Sequence, residues 1–317
     1  SGLHVDALED RKNKVLAEML AQRYINQEQY DAAREEKVNF VGIKTSIIAP
    51  YFVAWVQSIL EEKYGQAFLR EGGLKVHTSL DLRLQALAEK AVKDGAAANI
   101  KQNNAYNAAL VATEPATGKI LAMVGGKDYF GTPEPKGCRP GKNCRFEPNT
   151  NVAVSERQPG SSFKPYAYVT SFTEPYGYGP SSKILDSPTS FGTSNGRPYI
   201  PQNYDGGARG MITIRKALAG SLNIPAVRIL AAVGVQNVVN TAKGLGITSP
   251  LENCGLSLVL GGCEVKLVDH VAAFGALGNL GKFNGNTPFL KIEDKGGNVL
   301  EEYKEQNRQV VSPEAAY

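Results

Sequence analysis

The apolar positions at the start of the chain recur every three to four residues. Leu16, Met19, Leu20 and Tyr24 follow this spacing, which predicts helix between Leu8 and about Glu36. Asn26 and Gln29 have the spacing of a helix N-terminal capping box, so a second helix is predicted to begin there.

Two longer helices with a strand between them are predicted after Pro50. The first helix presents one apolar face and ends at Gly65, and the second follows residue 81. In the strand that lies between them, apolar and polar residues alternate. The proposed helix faces are Val53, Val56, Leu60 and Tyr64, and Leu84, Leu87, Ala88 and Ala91; the strand is Leu74, Val76, Thr78 and Leu80.

Hairpins are predicted at two later points in the chain. Leu110-Val111 and Ile120 to Val124 flank the breaker Pro115-Ala116-Thr117-Gly118. The turn Asp294 to Asn298 separates two further apolar stretches near the end.

Length and charge restrict the class of protein. A chain of 317 residues has room for about two domains. Its 35 basic and 31 acidic side chains give a net charge of +4 without a concentrated basic run, so nucleic acid is not expected as a partner. No apolar run is long enough to span a membrane and the start lacks an export signal, so any membrane anchor is expected outside these residues.

The four cysteines form two local pairs, Cys138 with Cys144 and Cys254 with Cys263. Their spacing differs from the pairs that structural zinc prefers. Two short disulfides and an oxidising, extracytoplasmic setting are therefore favoured, with four buried free thiols as the alternative.

The sequence motifs give little support to a histidine-based hydrolase or to a phosphate-binding site. His4, His77 and His270 are far apart and none belongs to an H-E-x-x-H motif, while a complete G-x-S-x-G elbow is missing. Neither a phosphate loop nor a dinucleotide fingerprint occurs in the sequence.

The segment Arg157 to Pro165 is the best candidate for catalysis. Pro159-Gly160 interrupts any preceding element, and Pro165 is tolerated only in a first helical turn, so a helix is predicted to begin near Ser161. Lys164 then lies on the same face as Ser161, close enough for a neutral amine to take the serine proton. The alternative is that Ser161 caps the helix and Lys164 is a surface charge.

Ser221-Leu222-Asn223 is a second polar motif, 221 − 161 = 60 residues after Ser161. A simple helix cap is the alternative interpretation of Ser221 and Asn223. Taken together with the only S-x-x-K of the chain, however, this motif is a much stronger signal of a catalytic site than either motif alone.

At these motifs the sequence resembles the class A bifunctional penicillin-binding proteins, and the resemblance covers nearly the whole chain. It implies an α+β fold, a mainly antiparallel sheet covered by helices, with the tail of a glycosyltransferase domain at residues 1–46, a linker at 47–106 and a transpeptidase domain at 107–317. The matching segments are Gly72 to Val76, Thr78 to Asp81, Glu114 to Gly118, Met123 to Gly126, Arg157 to Pro165, Asn203 to Asp205, Ser221 to Val227 and Leu260 to Gly262.

The resemblance also implies roles and partners. Ser161 would be the acylated nucleophile, Lys164 its base, Ser221 a proton relay, and Asn223 a ligand of the substrate carbonyl that also binds Lys164. Peptidoglycan stem peptides would be the substrates and β-lactams would acylate the same serine. No metal or organic cofactor is implied, and the protein would be membrane-anchored through a segment outside this chain, with its domains outside the cytoplasm.

Two departures from the family pattern keep alternatives open. No Lys-Thr-Gly or Lys-Ser-Gly follows Asn223, and no acidic glycosyl-transfer motif is found, so the chain is expected to be a fragment that can be inactive as it stands. The alternatives are a hydrolase of the D,D-carboxypeptidase or β-lactamase type, and a non-catalytic β-lactam-binding scaffold or sensor.

Overall fold

The computed structural model describes residues 5–36, 47–194 and 196–317. His4 lies outside the described residues, as does residue 46, where the first predicted domain ends. The chain divides into two units, Ser1–Ile48 and Ala49–Tyr317. None of the described helices combines the length and the apolar content needed to cross a membrane.

The elements of the described residues are α-helices, short 3₁₀ turns and short strands. The α-helices are α1 (Val5–Ala21), α2 (Gln27–Glu35), α3 (Pro50–Tyr64), α4 (Gln66–Glu71), α5 (Leu82–Asn103), α6 (Lys164–Ser171), α7 (Ile214–Ala219), α8 (Asn223–Val233), α9 (Val235–Gly244), α10 (Leu267–Gly278) and α11 (Pro313–Ala316). The strands are β1 (Lys75–Thr78), β2 (Leu110–Thr113), β3 (Ile120–Val124), β4 (Glu156–Arg157), β5 (Lys183–Asp186), β6 (Thr193–Ser194), β7 (Arg197–Pro198), β8 (Gly210–Thr213), β9 (Val265–Lys266), β10 (Lys282–Phe283), β11 (Phe289–Glu293), β12 (Val299–Glu302) and β13 (Arg308–Gln309).

The first unit contains α1 and α2. The predicted capping box is confirmed: the Asn26 side chain accepts from the Gln29 backbone N–H at 2.9 Å, and the Gln29 side chain accepts from the Asn26 N–H at 3.0 Å. Lys12 of α1 donates to the Glu36 carbonyl at 2.8 Å. This bond ties the end of α2 to α1.

The second unit combines antiparallel strand pairs with helices, so its content is α+β. Strands β1, β11 and β12 form a three-stranded sheet, and β2 pairs with β3. Both predicted hairpins are therefore confirmed. The predicted linker is residues 47–106, and residues 49–106 belong to this unit, where β1 pairs with β11 and α5 packs on β3. The predicted domain boundaries themselves stay a prediction.

Helices α6 and α8 form the centre of the main hydrophobic core. Most residues of both helices are buried, as expected of helices that pack against neighbours on several sides. They contact each other, and α9 packs against both. The fully enclosed side chains of this core include Phe163, Tyr166, Tyr168, Val227, Ile229, Leu230, Val238, Val239, Leu245 and Leu258.

Two predicted helix faces were partly wrong. In α3 the structure buries Tyr51 and Phe52 with Val56, while Val53 is 42% exposed, because the Tyr51 hydroxyl turns inward to donate to the Pro148 carbonyl at 2.5 Å. In α5 the exposed residues include Leu84 and Leu87, which were predicted to be buried.

The face of α5 is set by a buried glutamine. Gln85 donates to the Met123 carbonyl at 3.0 Å and accepts from the Met123 N–H at 2.9 Å. These bonds satisfy backbone groups of β3 and turn Gln85, Ala88 and Val92 toward the strand. Because apolar spacing cannot reveal such a polar contact, the pattern predicted a rotated face.

Both cysteine pairs form disulfides, Cys138–Cys144 and Cys254–Cys263, so the alternative of free thiols is wrong. The first closes a loop on the surface, while Cys263 is only 7% exposed and belongs to the main core. The second loop contains the 3₁₀ turn Gly255–Leu260, hereafter the 255–260 turn.

Replacing each disulfide by serines should give unequal losses of stability. Loop-closure entropy predicts a loss of about 2 kcal/mol for Cys138→Ser with Cys144→Ser, and about 2.5 kcal/mol for the longer Cys254–Cys263 loop. The second pair should lose more still, because a serine hydroxyl replaces buried sulfur at position 263. Urea unfolding under oxidising conditions measures both, and equal losses would contradict the assignment of Cys263 to the core.

Candidate active site

Ser161 and Lys164 lie on either side of a helix start. Ser161 is in the 3₁₀ turn Gly160–Phe163, hereafter the 160–163 turn, and Lys164 is the first residue of α6. The Lys164 N–H donates to the Ser161 carbonyl, and Pro165 occupies an early position where no N–H is needed. Ser161 is exposed, whereas Lys164 is 1% exposed. The predicted helix start near Ser161 is thus confirmed.

A glycine contact places the 160–163 turn on the 255–260 turn. Gly160 has φ +58° and Gly261 has φ +80°, both in the left-handed region. A Cβ on Gly261 would lie 2.2 Å from the Gly160 nitrogen, closer than any side chain allows. Glycine at position 261 therefore lets two backbones meet directly beneath the segment that carries Ser161.

The Lys164 amine is surrounded by three oxygens of the second motif. Its Nζ lies 2.5 Å from the Ser221 carbonyl oxygen, 2.7 Å from Asn223 Oδ1 and 3.1 Å from Ser221 Oγ. Burial lowers the pKa of Lys164 from 10.5 to about 8, because the ammonium form loses its hydration. A neutral amine is therefore far more accessible here than on a surface lysine.

Ser221 adopts a backbone conformation that is uncommon for serine, with φ +50°. This conformation just before α8 directs both its carbonyl and its hydroxyl at Lys164. Asn223 uses the other end of its amide to donate to the Gln202 carbonyl at 2.8 Å. The orientation of Asn223 Oδ1 toward the amine is thus held from the opposite side.

A buried polar network holds the start of α8. Asn203 Oδ1 accepts from the N–H groups of Asn223 and Ile224, at 2.8 and 3.2 Å. Its Nδ2 donates to Asp186 Oδ1 at 2.8 Å, and Asp186, which is fully buried, also accepts from the Arg209 N–H at 3.0 Å. Asn203 therefore caps α8 from a distant loop and connects Asp186 to the polar motif.

The donors and acceptors around Lys164 permit proton transfer between its amine and the Ser221 hydroxyl. The Ser221 carbonyl and Asn223 Oδ1 can only accept, so a neutral amine donates one N–H to each. Its lone pair then faces the Ser221 hydroxyl, which can donate to it. When the amine gains a third proton, the hydroxyl becomes the acceptor instead. One proton can thus pass between the two groups without any movement of heavy atoms.

The structure groups three of the four predicted catalytic and binding residues through hydrogen bonds. Lys164, Ser221 and Asn223 contact each other, and the Ser161 hydroxyl makes no hydrogen bond to any described residue. The predicted contact between that hydroxyl and the Lys164 amine is therefore not formed here. Catalytic hydrogen bonds of free enzymes commonly tighten only when substrate binds.

Asp186 and Asn203 were not predicted as parts of the site. Asn203 was noted only within the motif Asn203-Tyr204-Asp205, and Asp186 carried no signal at all. A single buried carboxylate at the end of a short strand has no periodicity to reveal it. Asn203 could have been found only by knowing that its loop folds over the start of α8.

Comparisons with known proteins identify the family and the fold of this chain. The model of the penicillin-binding protein transpeptidase domain matches residues 108–316. This chain belongs to that family. Penicillin-binding protein 2D of Bacillus subtilis is 31% identical over 97% of the chain and 42% of its own length. Penicillin-binding protein 1B of Vibrio cholerae is 29% identical over 99% of the chain and 39% of its own length, so the chain spans less than half of these relatives.

Solved structures show the same fold for this penicillin-binding protein chain. Penicillin-binding protein 1A of Haemophilus influenzae superposes with a TM-score of 0.71 at 20% identity, over 97% of this chain and 62% of that chain. The PonA1 protein of Mycobacterium tuberculosis in complex with penicillin V gives 0.65 at 23% identity, over 84% and 68%. The family resemblance and the α+β fold predicted from the sequence are confirmed.

Removing the Asn203 amide should destabilise the protein. Asn203→Ala removes the hydrogen-bond partner of Asp186 Oδ1 and of two N–H groups of α8, so we expect the free energy of unfolding to fall by about 2 to 3 kcal/mol. Gln202→Ala is the matched control, since this neighbouring side chain is exposed, and it should stay within about 0.5 kcal/mol. Urea denaturation compares the two, and equal losses would show that the network does not hold α8.

Proposed function

We propose that this chain provides the transpeptidase site of a peptidoglycan-cross-linking enzyme, and that β-lactams acylate the same serine. The observation that carries the proposal is the Lys164 amine, buried against Ser221 and Asn223 within one helical turn of the exposed Ser161. A buried amine of lowered pKa next to an accessible hydroxyl is the arrangement that general-base activation of a serine requires.

Acylation follows from the roles of these groups. Ser161 Oγ attacks the carbonyl carbon of the penultimate D-alanine while its proton passes to neutral Lys164, whose lone pair turns from the Ser221 hydroxyl to the serine when substrate binds. The new ester bond to Ser161 forms as the bond to the terminal D-alanine nitrogen breaks. Ser221 delivers the proton from Lys164 to that leaving nitrogen, through the hydroxyl that already contacts the amine at 3.1 Å.

Transfer to the second peptide reverses the proton movements. The amine of another stem peptide attacks the ester carbonyl, an amide bond forms, and Ser161 leaves as an alkoxide that regains its proton. Lys164 and Ser221 accept the proton released by the attacking nitrogen. Asn223 is proposed to bind the peptide carbonyl of the donor; its Nδ2 now donates to Gln202, so this role needs a shared or exchanged hydrogen bond.

The remaining part of the proposal concerns the cellular location of the protein and its domain organisation. Two disulfides support a location outside the cytoplasm, with a membrane anchor supplied by a segment other than these residues. We propose residues 1–46 as the end of a glycosyltransferase domain and residues 47–106 as the connection to the transpeptidase domain. Since no Lys-Thr-Gly or Lys-Ser-Gly follows Asn223 in the sequence, activity is proposed for the protein at its full encoded length.

Incubation with a penicillin should add the mass of one drug molecule to the protein. Intact-mass spectrometry of the full encoded protein measures the adduct, which Ser161→Ala should abolish. Ser181→Ala removes another exposed serine and should leave the adduct unchanged. An adduct that persists in Ser161→Ala would refute the assignment of the nucleophile.

Two results of the same experiment would support the other functions. A fast return to the unmodified mass indicates a hydrolase that resolves the acyl-enzyme with water. Reversible binding without any mass change indicates a non-catalytic sensor or scaffold.

The acylation rate should rise with pH. Only the neutral Lys164 amine can accept the serine proton, and its pKa is lowered to about 8 by burial. Below that pH the neutral fraction grows about tenfold per unit, so the rate should grow similarly from about pH 6 and level off above about pH 8. Stopped-flow measurement with a chromogenic β-lactam tests this. Lys164→Arg, which stays charged, should be inactive throughout, and a flat profile in the wild type would contradict the role of Lys164.

A further inference from the structure

His270 lies beside the segment that carries Ser161, although no sequence motif contains it. It projects from α10 between two elements of the site. Its Nε2 is 2.9 Å from the Ser162 hydroxyl, and its Nδ1 is 2.9 Å from the hydroxyl of Tyr166. Tyr166 is fully buried in α6, whereas Ser162 is the immediate neighbour of the proposed nucleophile.

The hydrogen-bond partners of His270 determine which nitrogen of its ring carries the proton. The single hydrogen of the Ser162 hydroxyl is donated to the Pro159 carbonyl at 2.6 Å, and a carbonyl can only accept. His270 Nε2 must therefore carry a hydrogen and donate it to Ser162. Nδ1 is then an acceptor, and the Tyr166 hydroxyl donates to it.

The imidazole is neutral in this arrangement. Burial lowers the pKa of His270 from 6.5 to about 4, and burial also raises the pKa of Tyr166. Asp269, the neighbouring carboxylate on α10, already accepts from the Thr248 N–H and hydroxyl. The buried Tyr166 hydroxyl has no other acceptor among the described residues, so its hydrogen points at His270 Nδ1. A proton added to Nδ1 would therefore face the hydroxyl hydrogen at close range.

Aromatic packing holds the imidazole ring in place. Its centroid is 5.6 Å from that of Tyr166 and 4.9 Å from that of Phe274. Tyr166 in turn packs edge-on against Phe163, at 4.8 Å, in the same 160–163 turn. The ring is therefore fixed by packing and by hydrogen bonds at both nitrogens.

We propose that neutral His270 is a positioning residue that links α6 to the Pro159–Ser162 segment and thereby holds the exposed Ser161 in place. Its effect on acylation rests on the function proposed above. Its effect on the 160–163 turn does not, because the hydrogen bonds of His270 and Ser162 to this segment form whether or not Ser161 reacts.

The two amide side chains give a matched pair of variants. In His270→Gln the amide nitrogen can reach the position of Nε2 and still donate to Ser162. In His270→Asn the shorter side chain reaches only the position of Nδ1, so the Tyr166 bond is retained and the Ser162 bond is lost. A small displacement of a nucleophile can cost up to about a hundredfold in rate. We expect His270→Asn to acylate about tenfold or more slowly, with unchanged initial β-lactam affinity, and His270→Gln to stay within about threefold of wild type.

A second variant avoids any change in the buried face. Ser162 is exposed, so Ser162→Ala is expected to fold normally. It should slow acylation as much as His270→Asn does. The double variant should be no slower than either single variant, because both remove the same link.

Two measurements test the proposal without catalysis. Histidine ¹⁵N NMR of the protein should show an unprotonated Nδ1 and a protonated Nε2 for His270, unchanged between about pH 6 and pH 8. Hydrogen exchange at the Lys164 amide, which donates to Ser161, should accelerate in His270→Asn and Ser162→Ala but remain near wild type in His270→Gln.

The outcomes separate this proposal from the function it rests on. If the wild type forms no acyl-enzyme, the proposed function is wrong, while NMR and hydrogen exchange still decide the role of His270. A protonated Nδ1, equal exchange in the Gln and Asn variants, or wild-type acylation in Ser162→Ala would each overturn the positioning role.

Discussion

The candidate site depends on the burial of one amine. Placing the Lys164 side chain in the core would be strongly unfavourable without partners, since an ammonium group loses its hydration there. Three oxygens of Ser221 and Asn223 offset this cost and retain full hydrogen bonding in either protonation state. Burial of this lysine is unfavourable for folding, and the same burial makes the neutral amine available as a base. Stability and chemistry are therefore coupled at this residue.

Because the amine needs those oxygens at short distance, the surrounding structure is built to hold them. Asp186 and Asn203 fix the start of α8. The end of α7 holds Ser221 in its left-handed conformation, because the Ser221 and Leu222 N–H groups donate to the Leu218 and Ala217 carbonyls. On the other side, Gly261 lets the 255–260 turn touch Gly160 directly. The two motifs are thus supported by separate parts of the fold. Loss of the Asp186–Asn203 network would separate the amine from its partners, and loss of the Gly160–Gly261 contact would separate it from the nucleophile.

Local sequence signals predicted those parts of the fold that depend on neighbouring residues. The hairpin of β2 and β3, the capping box at Asn26 and the helix start near Ser161 each depend on turn or cap residues within a few positions. The face of α5 was predicted wrongly, because Gln85 is buried by bonds to Met123, 38 residues away. Apolar periodicity cannot register a polar side chain that is buried for its hydrogen bonds.

The amino-acid sequence alone specifies the chemical groups and their local spacing. Pro159-Gly160, Ser161, Lys164 and Pro165 dictate a serine and a lysine at a helix start, whatever surrounds them. Which polar groups lie opposite this serine and lysine depends on tertiary packing. Ser221 and Asn223 reach the amine from 57 and 59 residues away, and His270 reaches Ser162 from 108 residues away. Such contacts arise because helices α6, α8 and α10 bury their apolar faces in one unit, and no local pattern encodes which polar atoms that packing brings together.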